Sequence, residues 1–328
     1  MTKSYNKEKE VAIEAVTQAC ALARQMQGQL VALDIVNKED LSPVTITDFS
    51  VQALINMHLM RAFPHDEIMG EEDALFLRNP QHVTIKRKVI EQIEKIFPGT
   101  PETAILDAID QGGSKGGPNG RFWVLDPIDG TRGFIQQEQY AIALALVENG
   151  KVVLGALGCP RVSVQGYPKQ GALFVAVKGQ GTIMIPYDTH EKISLHVSQS
   201  AELIYCEPHT LSQTHSHALA FEVSKKVHAS PHPFRLDSQC KYALVAKGDA
   251  DIYLRLPTVG SSSEYIWDHA AGAIVVEEAG GKVSDMQGNP LDFSKGISLS
   301  KNTGIVASNG FIHERVIAAI QSSMKNRS

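Results

Sequence analysis

Apolar positions along the chain follow two different spacings. Val11, Ala12, Ala15, Val16, Ala19, Leu22, Ala23 and Met26 recur every three or four residues, which predicts an amphipathic helix over 7–26. Val51, Leu54, Ile55, Leu59 and Ala62 predict a second helix, capped by Thr47 or Asp48 and ended by Pro64. Residues 83–97 predict a third. Strand-like runs follow at Phe122–Leu125, Tyr140–Val147, Val152–Leu157, Leu173–Val177 and Thr182–Ile185. Asn149-Gly150 is a good hairpin turn between two of these runs, and Gly179-Gln180-Gly181 is a second. Beyond about 187 strands and helices alternate. Strands are expected at Leu203–Cys206, Ile252–Leu256, Gly281–Ser284 and Gly304–Ala307, and helices at 212–227, 239–247, 268–279 and 311–323. Gly248 and Gly280-Gly281 read as helix ends. The stretch 186–193 is the expected boundary between an N-terminal α+β lobe, 1–187, and a C-terminal α/β lobe, 188–328, with any site between the two.

Composition narrows the class. A chain of 328 residues is long enough for one large domain or two medium ones, and 43% apolar with 20% charged residues is ordinary for a soluble globular protein. The net charge of -5 and the pI near 6.2 argue against a nucleic-acid polymer or an anionic membrane as the main partner. A local group of cations can still hold one small anion. Cys20, Cys159, Cys206 and Cys240 are far apart with no C-x-x-C pair, so neither a zinc knuckle nor a disulfide framework is indicated. The polar start MTKSYNKEKE lacks the apolar stretch of a signal peptide, and no apolar run is long enough to span a bilayer. A cytoplasmic protein is expected.

Four short segments carry the candidate chemistry. In Trp123-Val-Leu-Asp126-Pro127-Ile128-Asp129-Gly130-Thr131 an apolar strand is expected to end at Asp126, with Pro127 fixing a turn and Gly130 permitting tight backbone geometry. Two carboxylates converging there to ~4 Å repel by roughly 4 kcal/mol at an effective dielectric near ~20, so a shared proton or a metal ion must offset them. The second segment is Gly70-Glu71-Glu72-Asp73, after the apolar pair Ile68-Met69. The third is Asp268 in Trp267-Asp268-His269, expected to open a helix either as an ordinary cap or as a ligand. The fourth is Asp48, with the same two readings. Every candidate ligand is a hard oxygen, which points to Mg²⁺, Mn²⁺ or Ca²⁺, and the EF-hand spacing that would favour Ca²⁺ is absent. Carboxylates around two or three Mg²⁺ ions are a recurring arrangement for phosphate ester hydrolysis.

These motifs, in this order across 48–272, resemble the lithium-sensitive inositol monophosphatase superfamily. Within it the chain is most similar to the fungal and plant bisphosphate nucleotidase branch. Leu236-Asp237-Ser238-Gln239-Cys-Lys241-Tyr242, Tyr253-Leu-Arg255-Leu-Pro257 and Asp285-Met-x-Gly288-x-Pro290-Leu-Asp292-Phe293 carry that likeness. The resemblance implies a layered α/β/α/β/α sandwich. It implies a first Mg²⁺ on Glu71, Asp126 and the Ile128 carbonyl, a second on Asp126, Asp129 and Asp268, and a looser third near Glu71. Thr131, bonded to Asp48 and supported by Glu72, would orient the attacking water, and the N–H groups of Gly130 and Thr131 would bind phosphate. Lys241 and Arg255 would grip a 5′-phosphate, while Asp237, Ser238, Gln239 and His215 (with His209 competing for that alignment) would meet the nucleoside. Lithium inhibition and a monomer are implied as well. The segment Val259–Tyr265 departs from the branch pattern, which bears on fine specificity.

The expected activity is Mg²⁺-dependent hydrolysis of the 3′-phosphate of 3′-phosphoadenosine 5′-phosphate, and of the corresponding phosphosulfate, in sulfur metabolism. An inositol phosphatase is the alternative within the same chemistry. A non-catalytic nucleotide sensor has no use for the full carboxylate set, and a two-carboxylate glycosidase needs no metal.

Overall fold

A computed structural model describes residues 4–29, 35–37, 43–167, 169–187, 189, 191–209, 214–257 and 264–325. Its first layer holds α1 (Asn6–Gln27) and α2 (Ile46–Ala62), with a two-stranded ribbon of β1 (Ile35–Asn37) and β2 (Pro43–Thr45) leading into α2. The cap of α2 is Thr45, not Thr47 or Asp48. The Thr45 hydroxyl accepts from Thr47 N, and Asp48 Oδ2 accepts from Thr45 N at 2.8 Å, a reciprocal capping box. A polar residue three positions inside the helix thus closes its end. Outside α2 lie α3 (Leu75–Arg78), α4 (Val83–Ile96) and α5 (Glu102–Asp110).

These helices cover one face of a seven-stranded sheet ordered β3-β4-β5-β6-β7-β8-β9. Its strands are β3 (Glu67–Gly70), β4 (Arg121–Asp129), β5 (Ala141–Glu148), β6 (Lys151–Cys159), β7 (Ala172–Val177), β8 (Gly181–Pro186) and β9 (Ile193–Leu195). A short helix, α6 (Thr131–Ile135), follows β4. Only the β3–β4 pair is parallel; the others run antiparallel and meander. Asn149 and Gly150 both have positive φ, 50° and 72°, as a tight turn between β5 and β6 demands.

The strands alternate with period two, and both faces are buried. Ile142, Leu144 and Leu146 of β5 join the core under α1 and α2, whereas Ala141, Ala143 and Ala145 face a second core on the other side. That second core lies under α8 (Cys240–Lys247) and α9 (Ala270–Glu278). The small side chains let α9 approach. A Cβ placed on Gly155 of β6 would lie 2.8 Å from Ala271 O and 2.6 Å from Ile274 Cγ2.

Beyond α8 and α9 comes a five-stranded sheet ordered β11-β10-β12-β14-β13. Its strands are β10 (Tyr205–Glu207), β11 (Phe234–Arg235), β12 (Ile252–Arg255), β13 (Lys282–Ser284) and β14 (Ile305–Ser308). A third core, including Val223, Leu254, Val306 and Ile320, seals its outer face under α7 (Thr214–Val227) and α10 (His313–Lys325). The layers therefore run helix, sheet, helix, sheet, helix, as the resemblance implied. The four cysteines are free and buried. Among the described residues no helix is long and apolar enough to cross a membrane.

Candidate active site

Parallel pairing of β3 with β4 decides where the first carboxylates emerge. Gly70 lies opposite Leu125, so Glu71 and Glu72 leave the end of β3 beside Asp126, and Glu71 N donates to Leu125 O at 3.2 Å. Gln52 of α2 fixes the segment. Its Oε1 accepts from Glu72 N at 3.0 Å, and its Nε2 donates to Glu72 O and to Ile109 O. The strand does not end at Asp126, as the sequence suggested. It continues to Asp129 through a register shift against β5 between Asp126 and Asp129. Pro127, which has no N–H for the ladder, sits in that irregularity, and the resulting bulge re-aims both carboxylates.

Gly130 follows in the left-handed region, φ 87°, and starts α6. A Cβ there would lie 3.0 Å from the Cβ of Ser238, so glycine admits the segment before α8 at this point. The Thr131 hydroxyl has two acceptors in reach, Ile128 O at 3.0 Å and Asp48 Oδ1 at 3.3 Å. The other Asp48 oxygen is taken by Thr45.

The chain beyond β9 contributes from three places. Lys241 is buried in α8 and is not a solvated charge. Its Nζ donates to Leu236 O at 3.0 Å and Ser238 O at 2.6 Å, and lies 5.2 Å from the centre of the Tyr253 ring. Burial pushes its pKa down, while Asp129 resists that shift. Arg255, at the end of β12, binds Glu264 through Nε at 2.9 Å and through a second nitrogen at 2.7 Å, and comes within 3.9 Å of Asp268. Asp268 is neither the first residue nor the cap of α9. The helix starts at Ala270 with His269 as its cap residue, so Asp268 projects from the turn before it.

A cavity of about 330 Å³ joins these parts. Glu71, Asp126, Ile128, Asp129, Gly130 and Thr131, from the end of β3 and from β4 to α6, line it together with Ser238, Lys241, Arg255 and Asp268, from later in the chain. Residues from distant chain segments that were expected to work together thus share one space. Asp48 and Glu72 stand behind this wall as buried side chains. His215 belongs to α7, but its side chain lies outside the described residues, as do 210–213 and 258–263. His209 instead lines a neighbouring cavity, and its N–H donates to Asp237. Gln239, expected to contact the nucleoside, has its side-chain amide committed to Trp267 O and Gly272 N. Arg132 and Pro208 also line the site, and sequence reasoning missed both.

The electrostatics fit an oxygen-ligated cation. Burial, reinforced by Glu71, Asp129 and Asp268, holds Asp126 well above the usual carboxylate range. Burial likewise raises Asp268 against the pull of Arg255, and pushes Asp129 up to about 6 against Lys241. Oδ1 of Asp126 is buried with no hydrogen-bond partner among the described residues. Such an atom at the centre of a carboxylate group is suited to a divalent ion. Glu264, Asp268 and His269 also cluster, but within that group Glu264 is already paired with the Arg255 guanidinium. Burial opposes the charge on Glu264, yet His269 and Arg255 outweigh it and hold its pKa near about 2.

A model of the inositol monophosphatase family matches residues 4–325. The chain belongs to the inositol monophosphatase family. Among its relatives in this family is a 3′(2′),5′-bisphosphate nucleotidase of Schizosaccharomyces pombe, 41% identical, covering 96% of this chain and 95% of the relative. A protein of the same name from Dictyostelium discoideum is 40% identical over 97% of this chain and 98% of its own length. Among solved structures, a Thermotoga maritima IMPase superposes with a TM-score of 0.66 at 22% identity, covering 97% of this chain and 98% of that one. An inositol monophosphatase from Anabaena gives 0.64 at 21%, covering 98% and 97%. These two share the inositol monophosphatase fold with this chain.

Proposed function

We propose that the chain is a Mg²⁺-dependent 3′(2′),5′-bisphosphate nucleotidase. It converts 3′-phosphoadenosine 5′-phosphate to AMP and phosphate, and also takes the 5′-phosphosulfate. The observation that carries this reading is one cavity lined by Glu71, Asp126, Asp129 and Asp268 together with the cations Lys241 and Arg255. A phosphate ester to be cleaved and a second anionic group suit those two sets of side chains. The 41% identity to a nucleotidase supports the nucleotide over an inositol phosphate.

Glu71, Asp126 and the Ile128 carbonyl would hold one ion, and Asp126, Asp129 and Asp268 a second, with a third near Glu71. When bound, the ions supply Lewis acidity and offset the carboxylate repulsion. The protein's own residues do the rest. If the Thr131 hydroxyl donates to Asp48, its lone pairs are left to accept from a water and hold it for in-line attack. Glu72 supports that water from behind. The N–H groups of Gly130 and Thr131 receive the phosphoryl oxygens. Lys241 and Arg255 bind the 5′-phosphate, with Ser238 and His215 beside the nucleoside. On this reading the site lies between the lobes 1–187 and 188–328, the protein works as a cytoplasmic monomer in sulfur metabolism, and Li⁺ inhibits it by displacing one Mg²⁺.

Initial rates on the adenosine bisphosphate and on inositol 1-phosphate, with Mg²⁺, EDTA or Li⁺, test the proposal. Faster release from the nucleotide, abolished by EDTA, is expected. A faster rate on inositol 1-phosphate, or release that survives EDTA, would overturn it.

A further inference from the structure

Gln239 is buried and connects three segments of the candidate site. Its backbone N–H donates to Asp129 Oδ2 at 2.5 Å. Its side-chain Nε2 donates to Trp267 O at 2.8 Å, the carbonyl of the peptide that leads into Asp268. Its Oε1 accepts from Gly272 N at 2.9 Å in the first turn of α9. That helix has no side-chain cap of its own. The first N–H groups of a helix lack partners within it, so the amide of Gln239, the residue that precedes α8, substitutes for a cap.

The two targets of the side chain differ in polarity, a carbonyl oxygen and an N–H. A planar primary amide carries one donor end and one acceptor end, so glutamine answers both from a single rotamer. A carboxylate would repel Trp267 O, and a methionine of similar length would leave both groups buried and unpaired.

We propose that Gln239 is a positioning residue: its main-chain N–H anchors Asp129 while its side chain sets the approach of the segment that carries Asp268, so that the two carboxylates lie at the separation a shared divalent cation requires. This rests on the metal-dependent reading above. Groups that orient metal ligands typically change metal affinity or activity by about 10–100-fold when removed.

The test compares wild-type protein with Gln239→Met and Gln239→Glu. Calorimetric Mg²⁺ titration and thermal unfolding with and without Mg²⁺ are read alongside the Mg²⁺ concentration giving half-maximal rate and the KM for substrate at saturating Mg²⁺. Both variants should bind Mg²⁺ about 10-fold or more weakly and gain less in Tm from added Mg²⁺. Their half-maximal Mg²⁺ concentration should rise in parallel, while KM at saturating metal changes little. If Gln239→Met is too unstable to purify, Gln239→Glu, which keeps the size and the acceptor to Gly272, decides the matter. A lowered Tm with wild-type Mg²⁺ affinity would show that Gln239 only stabilises the fold and would overturn the proposal. If the wild-type protein itself binds no Mg²⁺ and needs none, the metal-dependent reading fails, an outcome separate from failure of the Gln239 assignment.

Discussion

Gln52 holds both main-chain polar groups of Glu72, accepting from its N–H and donating to its carbonyl. The two residues are 20 apart in sequence, and the contact fixes the segment that carries Glu71 into the cavity. Replacing Gln52 with leucine takes that partner from the N–H and the carbonyl of Glu72, two main-chain groups, while Ile109 O keeps the N–H of Gly112. Each costs about 1–3 kcal/mol when left unpaired. Gln52→Leu should therefore unfold at lower urea concentration by several kcal/mol and lose about 10-fold or more of its rate. Wild-type stability in urea would show that the contact contributes nothing.

Lys241 and Arg255 both face the cavity, and each also has a structural partner, the carbonyls of Leu236 and Ser238 for Lys241 and the carboxylate of Glu264 for Arg255, so substitution of either should lower stability as well as substrate binding. Arg255→Gln should raise KM for the adenosine bisphosphate about 10-fold or more, with little change for a small monophosphate. Lys241→Met should do the same and also lower stability by about 1–3 kcal/mol, because the carbonyl of Leu236 loses its donor and that of Ser238 keeps only the main-chain N–H of residue 241. Equal effects on both substrates would contradict the assigned role, and unchanged unfolding of Lys241→Met would contradict its structural one.

Much of this arrangement was legible in sequence. The long helices, the β4–β8 strands and the carboxylate motifs announce themselves by period or by local chemistry. Short or non-local elements do not. β3 has four residues, with only Ile68 and Met69 buried in the core, too few to establish a period. α5 offered Ile105, Leu106 and Ile109 behind Pro101, a usable signal that went unread. The expected helix 268–279 begins at Asp268 because nothing nearby shows that Gln239 supplies the missing cap from 33 residues before Gly272. Gln52 did leave a trace. It is a polar residue in a helix buried on every side from Ile46 to Met57, where an amide must have a partner.

Cation binding should be coupled to proton release. Without a cation, burial favours the neutral forms of Asp126 and Asp268 and raises Asp129 to about 6. A divalent ion binds the ionised forms, so those protons must leave. Apparent Mg²⁺ affinity should therefore rise from pH 5 to pH 7. Calorimetry in buffers of different ionisation enthalpy measures the protons released. Affinity independent of pH, with no proton release, would contradict the charge arrangement described.

His313 supplies a separate pH effect on stability. It is buried between Ser284 and Ser308, at 2.8 and 2.9 Å, and burial pushes its pKa down from 6.5 to about 4. Between those values the unfolded chain binds more protons than the folded one. Its contribution is thus complete above pH 6.5 and declines as pH falls toward 4, by up to roughly 1.4 kcal/mol per pH unit. Urea unfolding from pH 4.5 to 7 should show a shallower dependence for His313→Gln than for the wild-type chain. Parallel curves would remove His313 from the account.

The central claim is that acidic side chains from three distant segments enclose divalent ions. Anomalous diffraction from crystals soaked in Mn²⁺ tests it most directly. The account predicts strong peaks bounded by Glu71, Asp126, Asp129 and Asp268, lost when Asp126 is replaced by asparagine. Crystals in which the ion binds elsewhere, or leaves these four carboxylates without a shared peak, would contradict it.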